Sequence, residues 1–487
     1  MAVSLYTSRV VLNALGIKDF GIYNVVGGVV AMFSMLSGSL SSAISRFITY
    51  ELGKGDQEKL KKIFSSAVTI QIGLALAIAI LAECVGVWFL NTKMNIPVDR
   101  MTAANWVLQF SILTFGINLI SVPYNAVIIA HERMSAFAYI SIFEGLGKLL
   151  IAYFITVSPI DTLIFYAILM CGMAALLRFI YGWYSKRHFT ECTYCFIFDK
   201  TLLKQMFGFA GWNVIGASSA TLRDTGGNIV INLFCGPAVN AARGIAFQVN
   251  IAINQFVSNF MTALNPQITK SYANGNHNYM MSLIFQGARL SFYMLLLLSL
   301  PVILNAHYLL ELWLKIVPMH TVFFVQLILI FAMSESISSP LVTAMLATGK
   351  IRNYQIIVGG LQMMNLPISY ALLRIGFIPE TVILVAIVIS QCCLIARLIM
   401  LRGMIGLRIG EYIRKVYLNV IVVSAVAFFM PWFVGGYMKE GFVRLIIICL
   451  LSAICSIASV FFIGSNHQER SFILAKAKAL KQRVFSV

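Results

Sequence analysis

SSAISRFITYELGKGDQEKLKKIFSSAVTIQIGLALAIAI, Ser41–Ile80, puts two chemistries side by side. An apolar run ends, a linker follows with Lys54, Lys59, Lys61 and Lys62, and a second run begins that is free of charge over Ile70–Ala82. The same alternation continues outward along the chain, with charge-free stretches at Ile112–Ile129, Val382–Ile395 and Leu445–Ile463. With their flanks, most of these runs reach the roughly 20 residues a helix needs to cross a hydrocarbon core. The 487 residues are 60% hydrophobic and 11% charged, with a mean hydropathy of +0.86. A soluble domain carries about 25% charged residues, so a water-soluble fold could not hide this much apolar surface. Within lipid every backbone polar group needs an internal partner, so the spans are read as helices. The ten-residue alternating segments of a membrane β-barrel are absent. The expectation is an all-α, polytopic membrane protein.

The net charge of +18 does not point to nucleic acid. The Lys and Arg residues sit in short linkers, where the positive-inside rule puts them, and no basic stripe with interleaved aromatics occurs. Fourteen spans are read, at roughly 1–16, 21–44, 64–90, 103–129, 136–156, 161–184, 205–234, 241–264, 280–304, 320–346, 354–373, 379–401, 416–436 and 442–464. One set of linkers holds Lys54 to Lys62, then Lys186, Arg187, Lys200 and Lys204, then Arg402, Arg408, Arg414 and Lys415. The tail, with Arg470, Lys476, Lys478, Lys481 and Arg483, falls on the same side. The opposite side is poorer, with Lys18, Lys93, Arg100, Lys315, Arg374 and Lys439. The basic side, and with it the C-terminus, is therefore expected in the cytoplasm.

The chain also repeats itself. At an offset of 220 residues, Gly16 meets Gly236, Val29 meets Val249, Ala43 meets Ala263 and Gly55 meets Gly275. At an offset of 217, Pro123 meets Pro340 and Ala130 meets Ala347. Six spans separate the copies, an even number, so both halves keep one orientation: a parallel repeat about an axis along the membrane normal. The expected organisation is a six-helix lobe over 1–190, a second over 191–403, and a peripheral helix pair with a basic tail over 404–487. Two such lobes suit alternating access around a cavity between them. The second copy has an apolar stretch from about Gln205 with no counterpart in the first, which predicts a reading frame that starts upstream of Met1.

Nine cysteines, Cys84, Cys171, Cys192, Cys195, Cys235, Cys392, Cys393, Cys449 and Cys455, lie mostly in apolar runs and do not read as a disulfide framework. Cys192 and Cys195 form one CxxC near His188, short of the four ligands a structural zinc needs. No phosphate-cradling glycine loop, HExxH or nucleophile elbow occurs. No enzyme, cofactor or metal site is expected.

Ionisable residues inside spans are costly and default to function. They are Arg9, Arg46, Glu83, Glu144, Lys148, Arg178, Arg223, Asp224, Arg243, Arg289, Glu335 and Arg397. Glu144 and Lys148 have the spacing of an intrahelical ion pair. Arg178, Arg289 and Arg397 are expected to snorkel toward span ends. Glu83 and Glu335 lack a sequence partner, and both buried pairing and proton coupling are open to them. Arg9, Arg46, Arg223 and Arg243 fall in the first two spans of each lobe. If those helices face the cavity it is cationic, and guanidinium suits bidentate binding of phosphate oxygens; Asp224 beside Arg223 would offset part of that field. Amides and aromatics such as Tyr23, Asn24, Asn228, Asn250 and Asn254 share the same spans, placed either to meet sugar hydroxyls or to join helices.

At SRVVLNALGIKDFGIYNVVGGVVAMF, from Ser8, and through SSAISRFITYELGKGDQEKLKKIFSSAV, the chain resembles lipid-linked oligosaccharide flippases, the O-antigen and capsule exporters of the MATE-like multidrug/oligosaccharidyl-lipid/polysaccharide superfamily. The resemblance covers essentially the whole chain and is most specific in the first lobe. It implies export of an undecaprenyl-diphosphate-linked oligosaccharide across a bacterial inner membrane, with H+ or Na+ as candidate coupling ion and other polysaccharide-assembly proteins as candidate partners. It places Arg46, in the SRF triplet, at the substrate, joined by Arg9, Arg223, Arg243, Asn24 and Asn250, with Asp224 and Glu83 as candidate ion-coupling groups. The rival readings are a multidrug/cation antiporter of the same fold, whose cavity should favour acidic groups, and a membrane polysaccharide polymerase or ligase, which needs a larger loop than the roughly 15 residues of Asn305–Met319.

Overall fold

The computed structural model describes residues 7, 10–11, 13–16, 19–23, 26–27, 34–92, 96–197, 199–315, 317–466, 469–471 and 475. Among these the regular structure is helical throughout. In chain order the helices are α1 (Ser34–Lys54), α2 (Gln57–Thr92), α3 (Val98–Ala130), α4 (Met134–Val157), α5 (Thr162–His188), α6 (Lys200–Ala273), α7 (His277–Leu304), α8 (Ala306–Leu314), α9 (Thr321–Thr348), α10 (Arg352–Arg374), α11 (Thr381–Ile405), α12 (Ile409–Gly436) and α13 (Phe442–Gly464). Eleven of them, all but α1 and α8, are long and apolar enough to cross a membrane. The span read at 1–16 and the first part of that at 21–44 fall largely outside the described residues. The spans read at 205–234 and 241–264 are both contained in α6, 74 residues long. At 1.5 Å per residue a straight helix of that length would greatly exceed a bilayer. Gly236 interrupts it, with φ 83° and ψ 175°, a conformation only glycine adopts without strain, and Pro237 follows.

Short polar residues set the helix starts. Asp56 accepts from the Lys59 amide at 3.0 Å, Asp161 from Leu163 and Ile164, Asp199 from Thr201 and Leu202, and Asn276 from Tyr279. Each satisfies amides that the first turn leaves without a helical partner. The chain forms two compact units, one of Met1–Ala217 with Thr269–Gly275, the other of Ser218–Ile268 with Asn276–Val487. In the first, α3 packs on α1, α2 and α5; Ala104, Val107 and Leu108 of α3 meet Leu163 and Ala167 of α5 in a buried core. In the second, α9 packs on α7 and α11, and α13 on α7 and α12. Large apolar residues such as Ile80, Phe179, Leu233 and Ile454 remain exposed on the helix surfaces, as lipid-facing positions do.

The backbone carries the repeat seen in the sequence. Gly16 and Gly236 both have positive φ, 78° and 83°, as do Gly55 and Gly275, 77° and 71°. Glu132 and Gly349, aligned at the 217 offset, have φ 58° and 75°. The caps Asp56 and Asn276 sit at the 220 offset and make the same bond. The helix starts at Gln57 and His277, and at Thr162 and Thr381, recur likewise.

Candidate functional site

In the first unit, Arg46 lies on α1 with aromatic rings around its guanidinium. Its central carbon is 4.6 Å from the Tyr50 ring centroid, 4.8 Å from Phe47 and 5.8 Å from Phe209. The four-residue step from Arg46 to Tyr50 puts both on one helix face, and Lys54, four further on, holds its ammonium 4.7 Å from the same ring. Such faces attract cations. Tyr272 stands 6.2 Å from Tyr50. The neighbouring carboxylate, Glu51, is buried and bonded to Lys59 at 2.7 Å.

The second unit holds a denser cluster. Arg223 clamps Asp224 with two parallel bonds, Nε to Oδ1 at 2.8 Å and Nη2 to Oδ2 at 3.1 Å. Arg243, 3% exposed, comes from beyond the Gly236 break; its Nη1 donates to the Asp224 carbonyl at 3.1 Å and to the Asn228 side-chain oxygen. Asp224 and Asn228 are four apart and share a face. Gly227 makes room: a Cβ there would stand 2.9 Å from Arg243 Nη2 and 3.4 Å from Val382 Cγ1. Phe247 and Phe331 lie under the guanidinium groups of Arg243 and Arg223, at 4.6 and 5.0 Å. Glu335 of α9 and the 2%-exposed Arg397 of α11 complete the electrostatic neighbourhood. Three arginines against two carboxylates leave the cluster cationic.

The other expected residues are distributed as follows. Arg9 and Asn24 lie outside the described residues. Asn250 accepts from Asn254 at 2.6 Å on the same helix, a bond that holds both amides rather than offering them freely. Glu83 is apart from the arginines, accepting from Gln109 at 2.9 Å within a π-helical turn at Ala82–Gly86. Glu144 and Lys148 form the expected intrahelical pair at 2.5 Å. The snorkelling expected of three arginines gives way to interior partners: Arg178 sits 3.9 Å over the Tyr124 ring, Arg289 pairs with Glu469 at 2.6 Å, and Arg397 is buried beside Tyr354 and Glu335. A buried cation that finds a π face or a carboxylate need not reach water.

Sequence reasoning missed the pairs that join distant linkers. Arg100 bonds both Asp19 and Asp161, the latter at 2.5 Å. His131 bonds Glu191 at 2.6 Å and stacks on Phe189, centroids 4.2 Å apart. Burial of Glu191 works against its charge, but the His131 bond and a backbone amide outweigh it and hold the carboxyl below its ordinary range. Beside it, burial pushes the Cys192 thiol up, whereas Cys195 is exposed.

With this geometry in hand, comparison with known proteins places the chain. Residues 3–272 match the family described as polysaccharide biosynthesis protein. The chain is 20% identical over 309 residues to the protein named "Uncharacterized membrane protein EpsK" of Bacillus subtilis (strain 168), covering 61% of this chain and 59% of that one. Its fold is similar to that of a multidrug resistance MATE family transporter of the MOP superfamily in an outward-facing conformation, with TM-score 0.71 and 14% identity over 83% of this chain and 92% of that one. A MOP superfamily transporter from Pyrococcus furiosus, whose description reports a binding pocket of reverse polarity, matches with TM-score 0.66 and 13% identity over 83% and 93%. The Vibrio cholerae MATE transporter VcmN in its bent form matches with TM-score 0.67 and 13% identity over 83% and 98%. The arginine-bearing helices α1 and α6 lie within or reach the end of the matched family region, and the chain is a multi-pass membrane protein of the polysaccharide biosynthesis family with the MATE-like fold of the MOP superfamily.

Proposed function

We propose that the chain is a flippase that carries an undecaprenyl-diphosphate-linked oligosaccharide from the cytoplasmic to the periplasmic leaflet of a bacterial inner membrane. The observation that carries this reading is the excess of buried and half-buried guanidinium in the helices of both units: Arg223 and Arg243 around Asp224, and Arg46 on its aromatic cradle. A cation kept in an apolar, membrane-spanning helix at this cost is retained for a ligand or a partner. Guanidinium is the group whose donors match phosphate oxygens in pairs. Arg46 and at least one of Arg9, Arg223 and Arg243 would line the substrate's path and hold the diphosphate, the glycan would occupy wetter space beside the amides, and the prenyl chain would stay in lipid. H+ or Na+ would supply the driving force, with Asp224 and Glu83 as its candidate sites. The C-terminal tail would face the cytoplasm.

A multidrug/cation antiporter is the second reading, favoured by the fold shared with a multidrug transporter and by the Asp224 and Glu335 carboxylates. The balance of three arginines to two carboxylates speaks against it, since a cation substrate would meet net repulsion. The pocket of reverse polarity reported for one MOP transporter offers a precedent within the fold for an altered choice of ligand charge. The decisive experiment is a deletion strain analysed for lipid-linked glycans. Accumulation of undecaprenyl-diphosphate-linked oligosaccharide on the cytoplasmic side, reversed by the wild-type gene, is expected. Normal surface glycan with lost resistance to organic cations would replace this reading with the antiporter.

A further inference from the structure

His320 precedes α9 and Glu380 precedes α11; the imidazole Nδ1 and the carboxylate Oε1 are 2.6 Å apart. Arg100, near the start of α3, and Asp161, before α5, form an ion pair at 2.5 Å. The two pairs correspond. Arg100 meets His320 at the 220 offset, Asp161 meets Glu380 at 219, and Thr162 and Thr381 follow the acids. Each joins the segments at or just before two helix starts of its own unit.

The chemistry differs between the copies. Arg100 is charged at every physiological pH and has two carboxylates, Asp19 and Asp161. Asp161 also spends Oδ1 on the amides of Leu163 and Ile164. Position 239, where the second copy would need a counterpart of Asp19, is Val239. Glu380 makes no capping bond, is 5% exposed, and its Oε2 is buried with no hydrogen-bond partner. An unsatisfied buried carboxylate oxygen is expensive, and a proton on either member of the pair lowers that cost.

We infer that His320 and Glu380 form a proton site that clasps the start of α9 to the start of α11, in the place where the first unit has a permanent clasp. With the imidazole protonated the contact is an ion pair; without that proton it is a neutral-to-anion hydrogen bond. The clasp therefore tightens when the imidazole gains a proton and loosens when it gives that proton up. The helix N-termini here favour the carboxylate and disfavour the imidazolium, so Glu380 is the group that makes protonation of His320 tolerable. Cys235, at the α6 break, is a further titratable group facing Glu380. Lys315 lies in the segment before α9, and Arg374 ends α10.

The test is a double-mutant cycle on the full chain in lipid nanodiscs, read as thermal unfolding at about pH 5.5 and about pH 7.5, either side of the histidine range. H320Q, E380Q and the double variant give the coupling between the two side chains, with the effects of other histidines cancelled. The coupling is expected to be larger at the lower pH, where both partners are ionised, than at the higher pH, where only the carboxylate is. H320R, which installs the first unit's chemistry, should give the same coupling to E380Q at both pH values. Equal coupling at both pH values with the native histidine, or none, overturns the proposal. If the glutamine variants do not fold, wild type and H320R decide alone. Their difference in unfolding temperature must change between the two pH values, and a constant difference overturns the proposal.

Discussion

Arg243 and Asp224 are joined through the main chain and not the side chain: the guanidinium Nη1 donates to the Asp224 carbonyl at 3.1 Å, while the Asp224 carboxylate is held by Arg223. One acidic residue thus anchors two arginines, and its single charge is spent on the outer one. Arg243, buried, is bonded to Asn228 and lies over Phe247 and makes no side-chain bond to the Asp224 carboxylate. Arg243→Ala is expected to lower export roughly tenfold or more, about 1.4 kcal/mol of lost substrate interaction. Arg243→Lys should retain part of it, as a point charge without the fork. Export assays normalised to membrane abundance check this, and wild-type export by the alanine variant would remove Arg243 from the mechanism.

Gly227 separates position from stability. A methyl group there meets Arg243 Nη2 at 2.9 Å, and the guanidinium is the part that can swing away. Helix propensity favours alanine over glycine by about 1 kcal/mol, which offsets much of the strain. Gly227→Ala should therefore leave unfolding temperature within a few degrees of wild type and still reduce export. Equal export would show that the guanidinium need not sit where Gly227 lets it.

Much of this was legible from local spacing. Glu144 and Lys148 are four apart on one helix face, so the spacing names the partner, and Asp224 stands next to Arg223 in the chain. The repeat was legible because Gly16 with Gly236 and Gly55 with Gly275 are required by positive φ and are hard to replace. The partners of Arg289, Arg100 and His131 were not legible. They lie 180, 81 and 61, and 60 residues away, and no periodicity connects residues brought together only by packing. The same reason hid Arg397: nothing beside it in sequence announces Tyr354 or Glu335.

Gly53 tests the packing of the first unit. A Cβ there would lie 2.9 Å from both the Ala273 Cβ and the Lys270 Cα. Backbone and a methyl group cannot rotate away, so the two helices must part. Gly53→Ala is expected to cost about 1–3 kcal/mol and to weaken the Lys270–Glu132 pair, 2.7 Å across in the wild type. Thermal unfolding of the variant measures the cost; an unchanged unfolding temperature would contradict the close approach.

The His131–Glu191 pair gives a pH-dependent term with a definite sign. The Glu191 carboxyl is held below its ordinary range in the fold, because the His131 and backbone bonds outweigh burial. A depressed carboxylate adds stability that is present above the unfolded value of about 4.3 and is lost as pH falls through the folded value. Glu191→Gln should therefore destabilise at neutral pH by about 1–2 kcal/mol, and the difference from wild type should shrink once the medium is more acidic than about pH 4. Paired unfolding curves across that range check the prediction, and a difference that grows on acidification would reverse the assigned sign.

Under the proposed flippase function, Arg46 is the first unit's candidate for the substrate's phosphates. Its carbon lies within 4.6–5.8 Å of three aromatic centroids, and the adjacent carboxylate Glu51 is committed to Lys59. The rings stack on the guanidinium and help fix its plane. Arg46→Ala removes both charge and cradle contact. It should cut export by roughly tenfold or more with membrane abundance near normal, because each ring keeps apolar neighbours. Arg46→Lys should rescue part of the loss, since the ammonium still stacks on Tyr50 but cannot make two parallel bonds to a phosphate. Phe209→Leu should act in the same direction and more weakly, by loosening one side of the cradle. A graded series, wild type above Phe209→Leu above Arg46→Lys above Arg46→Ala, is the expected result. Full export by Arg46→Ala would exclude Arg46 from the substrate's path and leave the second unit's arginines to carry the diphosphate.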